Sequence, residues 1–571
     1  MAEIPVRGPL RGGPRLQRVT PEQLAAAIHA VLTEAARAGD LPLAEGDLPA
    51  AEALRVERPR SREHGDWASN VALQLAGRAG MPPRRVAEVV AAGLGGVDGV
   101  AGVEVAGPGF LNITLDAASA GALARDIVEA GAAYGRNETM AGRTINLEFV
   151  SANPTGPLHI GHTRWAALGD ALHRLLAASG ADVTAEHYTN DAGAQTQRLA
   201  SSVLARARGE EVPEGGYAGD YVDALAEQVR LARPDLLSLP EPEALEVCRE
   251  TGMALQVAAN EQTLTAFHVT FDVWFSEKSL HDAGAVEQAV DRLREQGHVF
   301  DADGAVWLRT TDFGDDKDRV LIRANGEPTY FAADCAYYLS KKDRGFTEKV
   351  YMLGADHHGY VGRLKAIAAC AGDDPDTNIE VLIGQLINIS GERMGRRRGN
   401  AVYLSDLLEW IGADPIRYSL GRFPADTPLD LDGEELRRRS NDNPVFYVQY
   451  AHARTCNVAR LAGEDGVRRE DGFDPGLLGH PTESVLLAAL GDFPRVVAQS
   501  AQLREPHRVA RYLEDLSSHF HKWYDECRVR PTSAEEEITD LHRSRLWLND
   551  ATRQVLANGL SLLGVSAPER M

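Results

Sequence analysis

The sequence predicts a multidomain α/β protein in three blocks: a small α+β unit, an open parallel α/β sheet carrying an insertion, and an all-helical end. Three observations predict it. The chain has 571 residues, and at about 100–200 residues per domain that length implies roughly three to five units. A strand, a long helix and another strand follow one another between residues 144 and 188, the order of a parallel crossover. From Asn443 to Met571 the chain reads as helix throughout, which suggests a bundle.

Hydrophobic residues make up 44% of the chain, enough for real cores. No apolar run reaches the length of about 18 residues that a membrane helix needs, so no membrane partner is expected. Met1 to Arg18 is rich in Arg, Gly and Pro without an apolar segment, unlike a secretory signal. The five cysteines (Cys248, Cys335, Cys370, Cys456, Cys527) show no CxxC pairing. That argues against a disulfide framework or a zinc site and for buried thiols in a reducing cytoplasm. The formal net charge of −23 runs against nucleic-acid binding, but clustering of cations matters more than their sum. Two clusters stand out: Arg7, Arg11, Arg15 and Arg18 in a basic tail over 1–19, and Arg393, Arg396, Arg397 and Arg398 in a glycine-bounded stretch.

The first block spans 20–120. Thr20 is a candidate N-cap, Pro21 suits the first helical position and Gly39 a stop, so 20–38 reads as a helix. A second helix covers 84–92. Residues 103–115 alternate and turn at Gly107-Pro108-Gly109, as a strand pair does. The second block spans 121–440. It opens with a strand over 144–150, a Pro/Gly loop over 151–157 and a helix over 158–179 that Gly180 terminates. Strands are expected at 183–188, 349–353 and 379–389, with one inserted subdomain at about 201–311. The third block is 441–571.

His159-Ile160-Gly161-His162 stands where that strand and loop pass into the long helix. Helix N-termini carry free N–H groups and partial positive charge, an anion site. The imidazoles three apart can both face phosphate oxygens, and Gly161 leaves room for a flat base or ribose. Zinc ligation and two plain surface histidines compete with this reading. No Cys, Asp or Glu follows at metalloprotease spacing, and a strand before and a helix after set HIGH apart from a bare HxxH.

Glu148 to His162 (EFVSANPTGPLHIGH) resembles the signature of class I aminoacyl-tRNA synthetases, and its lead-in resembles the arginyl enzymes. Tyr188 to Gln195, Thr329 to Asp334, Leu353 to Tyr360, Asn443 to Arg454 and Leu563 to Met571 resemble the same family, collinearly. The resemblance implies a class I Rossmann-type catalytic domain between an N-terminal tRNA-elbow domain and a helical anticodon-binding domain. It implies ATP-dependent activation of L-arginine and transfer to the 3′ end of tRNA(Arg), with Mg²⁺ accompanying ATP, no zinc, and a monomeric, cytoplasmic enzyme. By the same resemblance His159, Gly161, His162, Met394 and Arg396 would serve ATP, with His159, His162 and Arg396 catalytic. Tyr330 and Asp334 would hold the guanidinium with Glu148 helping, and Asn153 and Gln385 the amino-acid end. A guanidinium is planar and permanently charged, so a selective pocket needs carboxylate acceptors. Tyr330 and Asp334, four apart, would share a helix face; an exposed helix face is the competing reading. Phe110 and Asn112 would meet the tRNA elbow, against a turn with a core Phe. Tyr450, Arg454 and Met571 match positions near the anticodon, against helix packing for Tyr450.

One stretch departs from the family. In place of Lys-Met-Ser-Lys-Ser stands Arg393-Met394-Gly395-Arg396-Arg397-Arg398-Gly399-Asn400. Both lysines are arginine and the serine is Gly395. A compensating lysine three residues before the first His is also absent, since that position is Gly156. Arginine still binds phosphate oxygens bidentately, so retained activity is expected. A specialised paralogue, a non-catalytic tRNA-binding relative and another HIGH-type nucleotidyltransferase stay open as alternatives.

Overall fold

The computed structural model describes residues 21–59, 64–391, 402–533 and 535–571. The basic tail, Thr20 and the arginine-rich stretch with Met394 and Arg396 lie outside the described residues.

The first block has a core of its own. Helices Pro21–Ala38, Val71–Ala79 and Pro83–Leu94 bury Leu24, Ile28, Leu75 and Val86 against Trp67, Leu111 and Ile113 of a four-stranded antiparallel sheet. Its hairpin, Val100–Ala106 at the sheet edge and Phe110–Leu115 beside it, turns where expected. At the turn Gly109 has φ +150, and an added Cβ would stand 2.9 Å from the Pro83 backbone, so a side chain has no room there.

The second block is built on five parallel strands in the spatial order Ile379–Gly384, Glu348–Gly354, Thr144–Glu148, Asp182–Thr189, Val273–Ser276. The helix Ile160–Ala178, here the signature helix, packs on one face against Leu147 and Phe149. Its Gly169 lies so close that a Cβ would come within 2.3 Å of the Phe149 ring. The helix Tyr330–Asp343, here the pocket helix, packs with Tyr351 on a separate core.

Two expectations need correction. The segment 201–311 is not one inserted unit. Helices Ala194–Arg208, Asp220–Ala232 and Glu241–Ala266 share a small core, and the chain then returns to the central sheet as Val273–Ser276. A four-residue strand that is half-buried throughout shows no alternation to be read beforehand. Residues 379–389 are two strands rather than one. The first ends at Gly384, the Gln385 N–H turns to the Ala425 carbonyl at 2.9 Å, and Ile387–Ser390 pairs instead with Leu429–Asp432.

The last block is helical: Pro444–Glu464, Pro481–Gly491, Phe493–Gln502, His507–Glu526 and Asp540–Leu562. Its core, with Val448, Leu513, Phe520 and Trp523, is continuous with that beneath the signature helix. No helix among the described residues is long and apolar enough to cross a membrane.

Candidate active site

Chain winding reverses between Thr144–Glu148 and Glu348–Gly354, the kind of switch point outside whose strand ends α/β sheets bind ligands. The chain leaves the first strand under strain. Val150 has φ +70, a region hostile to a β-branched residue. The strand therefore ends at Glu148, short of the expected Val150. The turn brings Ser151 back, so its Oγ donates to Glu148 at 2.8 Å and accepts the Tyr188 N–H at 3.3 Å.

The two histidines open the signature helix as a reciprocal cap. His159 Nδ1 accepts the Gly161 N–H at 3.1 Å, and His162 Nδ1 accepts the His159 N–H at 3.3 Å. The rings lie 4.0 Å apart. The Ile160 N–H goes to the Val402 carbonyl at 3.0 Å and the His162 N–H to the His159 carbonyl at 2.9 Å. These four amides are thus occupied, and the expected site of free N–H groups is corrected: the donors left for an anion are the ring Nε2–H groups. Burial lowers the pKa of both rings, that of His162 to about 4 with His159 adding to the fall, so both are neutral near pH 7. Gly161 is also explained differently. A Cβ there would meet the His159 ring at 2.8 Å, so the space serves that ring.

On the pocket helix, Tyr330, Asp334, Tyr337 and Lys341 recur at intervals of four, three and four, which places them on one face. Tyr330 is 63% exposed at the open end. Asp334 is half-buried and accepts a hydrogen bond from the Tyr360 hydroxyl. Burial raises its pKa to about 7, with Glu277 and Glu148 pushing the same way. Lys341 is fully buried, 2.6 Å from Glu148 Oε2, with its Nζ over the Tyr351 ring at 3.9 Å. Both Glu148 oxygens are therefore engaged, one by Lys341 and one by Ser151. Glu148 thus lies at the buried end of this helix face, held by Lys341 and Ser151 and close enough to Asp334 to act on its charge. A second pocket carboxylate, which sequence reasoning missed, is Glu277. Burial raises its pKa, Tyr188 stands beside it, and the Asn190 amide, oriented to donate, reaches its Oε2 at 3.0 Å. A cavity of about 570 Å³ is lined by Gly193, Glu277, His281, Arg323, Tyr330 and Ala333 among others, and stops short of the two histidines.

Asn153 and Gln385 are both exposed, just beyond the ends of the strands Thr144–Glu148 and Ile379–Gly384. Arg164, buried on the signature helix, holds the Gln385 carbonyl at 3.0 Å and the Pro424 carbonyl at 2.7 Å. A cation inside an apolar helix face was the available signal for it. Gly156 faces Tyr221, whose hydroxyl would lie 3.3 Å from an added Cβ and which donates to the Thr155 carbonyl at 3.2 Å. Tyr221 thus flanks the place of the missing lysine. The arginine-rich stretch itself is outside the described residues, but the chain that follows it is tied to the histidines: Tyr403 bridges His159, and the Leu404 N–H reaches the Leu158 carbonyl at 2.7 Å.

Three family models tile the chain: the arginyl tRNA synthetase N terminal domain over 22–115, the class I (R) tRNA synthetase catalytic domain over 125–215 and 244–412, and the DALR anticodon binding domain over 448–571. The chain belongs to the arginyl-tRNA synthetase family. Its relatives include arginine–tRNA ligases of Paenarthrobacter aurescens, 64% identical over 97% of this chain and all of that one, and of Micrococcus luteus, 64% identical over 96% and all of it. Thermus thermophilus arginyl-tRNA synthetase shares the fold, with a TM-score of 0.72 at 24% identity over 97% of this chain and all of that one. A Mycobacterium tuberculosis methionyl-tRNA synthetase has a TM-score of 0.52 at 14% identity, over 74% of this chain and 91% of that one.

Beside this class I catalytic centre, the remaining residues expected from the family stand apart. Phe110 and Asn112 share the outer face of the N-terminal sheet. Phe110 is 42% exposed, which corrects the reading of a core Phe. Asn112 is largely buried beside Ala68 and Glu104. On the DALR helices the Arg454 guanidinium lies between the rings of Tyr450 at 4.7 Å and Tyr524 at 4.9 Å, and reaches His521 Nδ1 at 3.2 Å. Met571 is exposed. The tail before it follows the same helix, with Gln449 Nε2 on the Ser566 carbonyl at 3.0 Å and His452 Nδ1 by the Pro568 carbonyl at 2.9 Å.

Proposed function

We propose that this chain is an arginine–tRNA ligase that joins L-arginine to ATP as an adenylate and transfers the arginyl group to the 3′ end of tRNA(Arg). One arrangement carries the reading: two neutral imidazoles with free Nε2–H donors and an acidic, tyrosine-walled pocket both lie beyond the C-terminal strand ends of one parallel sheet. Asp334 and Glu277 supply the charge for a guanidinium and Tyr330 a flat wall. Asn153 and Gln385 hold the amino and carboxylate end. The arginine carboxylate attacks the ATP α-phosphate in line, and diphosphate leaves. The histidines donate to phosphate oxygens as charge shifts there, so catalysis rests on positioning and on oriented donors. Arg396 reaches the departing diphosphate in place of lysine, and Met394 lies with ATP. Mg²⁺ comes with ATP, bound through its phosphates and water. Phe110 meets the tRNA elbow, and Tyr450, Arg454 and Met571 meet the anticodon. The enzyme acts as a cytoplasmic monomer.

The deciding experiment is aminoacylation with radiolabelled arginine, ATP and total tRNA. Formation of arginyl-tRNA is expected. Folded protein that binds tRNA yet forms none would make this a non-catalytic relative.

A further inference from the structure

Asp170 lies on the signature helix about three turns beyond His159, and it is buried. Two cations hold it: Arg174, whose Nε is 2.7 Å away, and Arg417, whose Nη2 donates to the same oxygen. Arg417 comes from the helix Ala413–Gly421 and is wholly buried. Its other donors all go to main-chain carbonyls. Nε and Nη2 reach Leu563 at 3.1 and 3.0 Å, and Nη1 reaches Phe267 at 2.8 Å and His268 at 3.3 Å. Leu563 ends the last helix of the bundle, and His268 closes the helical insertion with φ +60, a strained setting for a side-chain-bearing residue. Gly564 fits only because it lacks a side chain: at φ +65 its Cβ would come within 2.0 Å of Arg417 Nη2. One turn before Arg417, Asp414 accepts the Ser566 N–H at 3.1 Å and the Gln449 amide at 2.8 Å.

We infer that Arg417 is a positioning residue that couples the C-terminal tail of the bundle to the helix bearing His159 and His162. The guanidinium reads the place of Leu563 and Gly564 and fixes Asp170 accordingly. The tail it reads runs on beside Gln449 and His452 of the helix that also carries Tyr450 and Arg454, so a ligand that shifts the tail shifts the signature helix. The catalytic consequence rests on the proposed ligase activity, and the structural one does not.

Full-length Gly564→Ala, Arg417→Lys and the double variant test it. In Gly564→Ala the kcat of arginylation should fall about tenfold to a hundredfold, as a small misplacement of catalytic groups does, while the KM for tRNA stays within about twofold. Amide exchange of residues 160–163 should accelerate although the melting curve stays cooperative. Arg417→Lys keeps the charge opposite Asp170 but cannot span the carbonyls, so its loss and that of Gly564→Ala should not add in the double variant. If Gly564→Ala does not fold, Asp414→Asn loosens the tail without touching the guanidinium, and smaller changes of the same sign are expected. Unchanged exchange at 160–163, additive losses, or a pure rise in the KM for tRNA would each overturn the inference. Absence of arginylation by the wild type would sink the ligase reading alone, because the exchange measurement still tests the coupling.

Discussion

In the proposed site the Asp334 and histidine pKa values shift in opposite directions. The Asp334 pKa of about 7 lies above the unfolded carboxylate value of about 3.9. The folded chain therefore binds this proton more tightly, and the stability it contributes is present below about pH 4 and lost as the pH rises to about 7. A guanidinium binds the ionised form. Arginine affinity should thus climb about tenfold per pH unit from pH 5.5 to 7 and then level off. Calorimetry in two buffers of different ionisation enthalpy should detect a proton released below pH 7; a flat profile with no proton release places Asp334 outside the pocket. Asp334→Asn should raise the KM for arginine far more than that for ATP, since it removes charge at constant size. The histidines are neutral already, and donation is the role proposed for them. His159→Ala and His162→Ala should each cost about 10²–10³ in the rate of activation. His159→Ala should also lose about 1 kcal/mol with its cap. His159→Asn, a good capping residue, should restore the melting temperature without restoring turnover, and recovery of both would assign this imidazole to structure.

At the level of elements, two helices face each other across one sheet. The pocket helix holds its functional stripe in place from below, because Lys341 ties it to Glu148, and Arg344 and Tyr337 tie it to Glu186. The signature helix is held by contact distance instead. Gly169→Ala would gain about 1 kcal/mol of helix propensity, but its Cβ would lie 2.3 Å from Phe149 Cδ2. Overpacking of about 1–3 kcal/mol should prevail, so a lower urea midpoint is expected. A rise in the midpoint would mean that Phe149 moves aside at little cost. The chain after residue 401 is paired to the start of the signature helix at Leu158, His159 and Ile160. Arg396→Ala should lower kcat for arginine activation strongly with little change in the KM for ATP. Arg397→Ala and Arg398→Ala should do less to activation and weaken tRNA binding in a salt-dependent way. Normal turnover by Arg396→Ala beside a crippled neighbour reassigns the role.

Across the whole molecule, the N-terminal unit keeps its own core while the bundle shares that of the catalytic layer. Arg58 joins the N-terminal unit to the bundle, stacked on Trp67 at 3.8 Å and paired with Asp492 at 3.2 Å. The catalytic layer and bundle therefore share one core, with the N-terminal unit joined to the bundle. The formal charge of −23 leaves tRNA binding to local cations. Arg454 is preset between two tyrosines, so Arg454→Ala should raise the KM for tRNA about tenfold, with loss of stacking and charge together. The slope of affinity against salt should fall with it. An unchanged tRNA KM would return Arg454 to helix packing.

What the sequence by itself determined was whatever a local period or a contiguous motif encodes. It placed the histidines at a helix start, Tyr330 and Asp334 on one helix face, and the three blocks in order, because each follows from residues within a few turns of one another. Tyr337 and Lys341 were legible too, as the continuation of that face. Tertiary structure alone decided which charges are free to act. Glu148 is neutralised by a lysine 193 residues away, and Glu277 enters the pocket from the first turn of a short helix that follows an edge strand too short to show a period. The amides at the helix start are taken by the histidines themselves and by Val402 beyond the arginine-rich stretch. Carboxylate roles depend on the nearest cation in space, and helix-end amides on whichever acceptor arrives first. Neither distance is written in sequence spacing, so both waited on the packed chain.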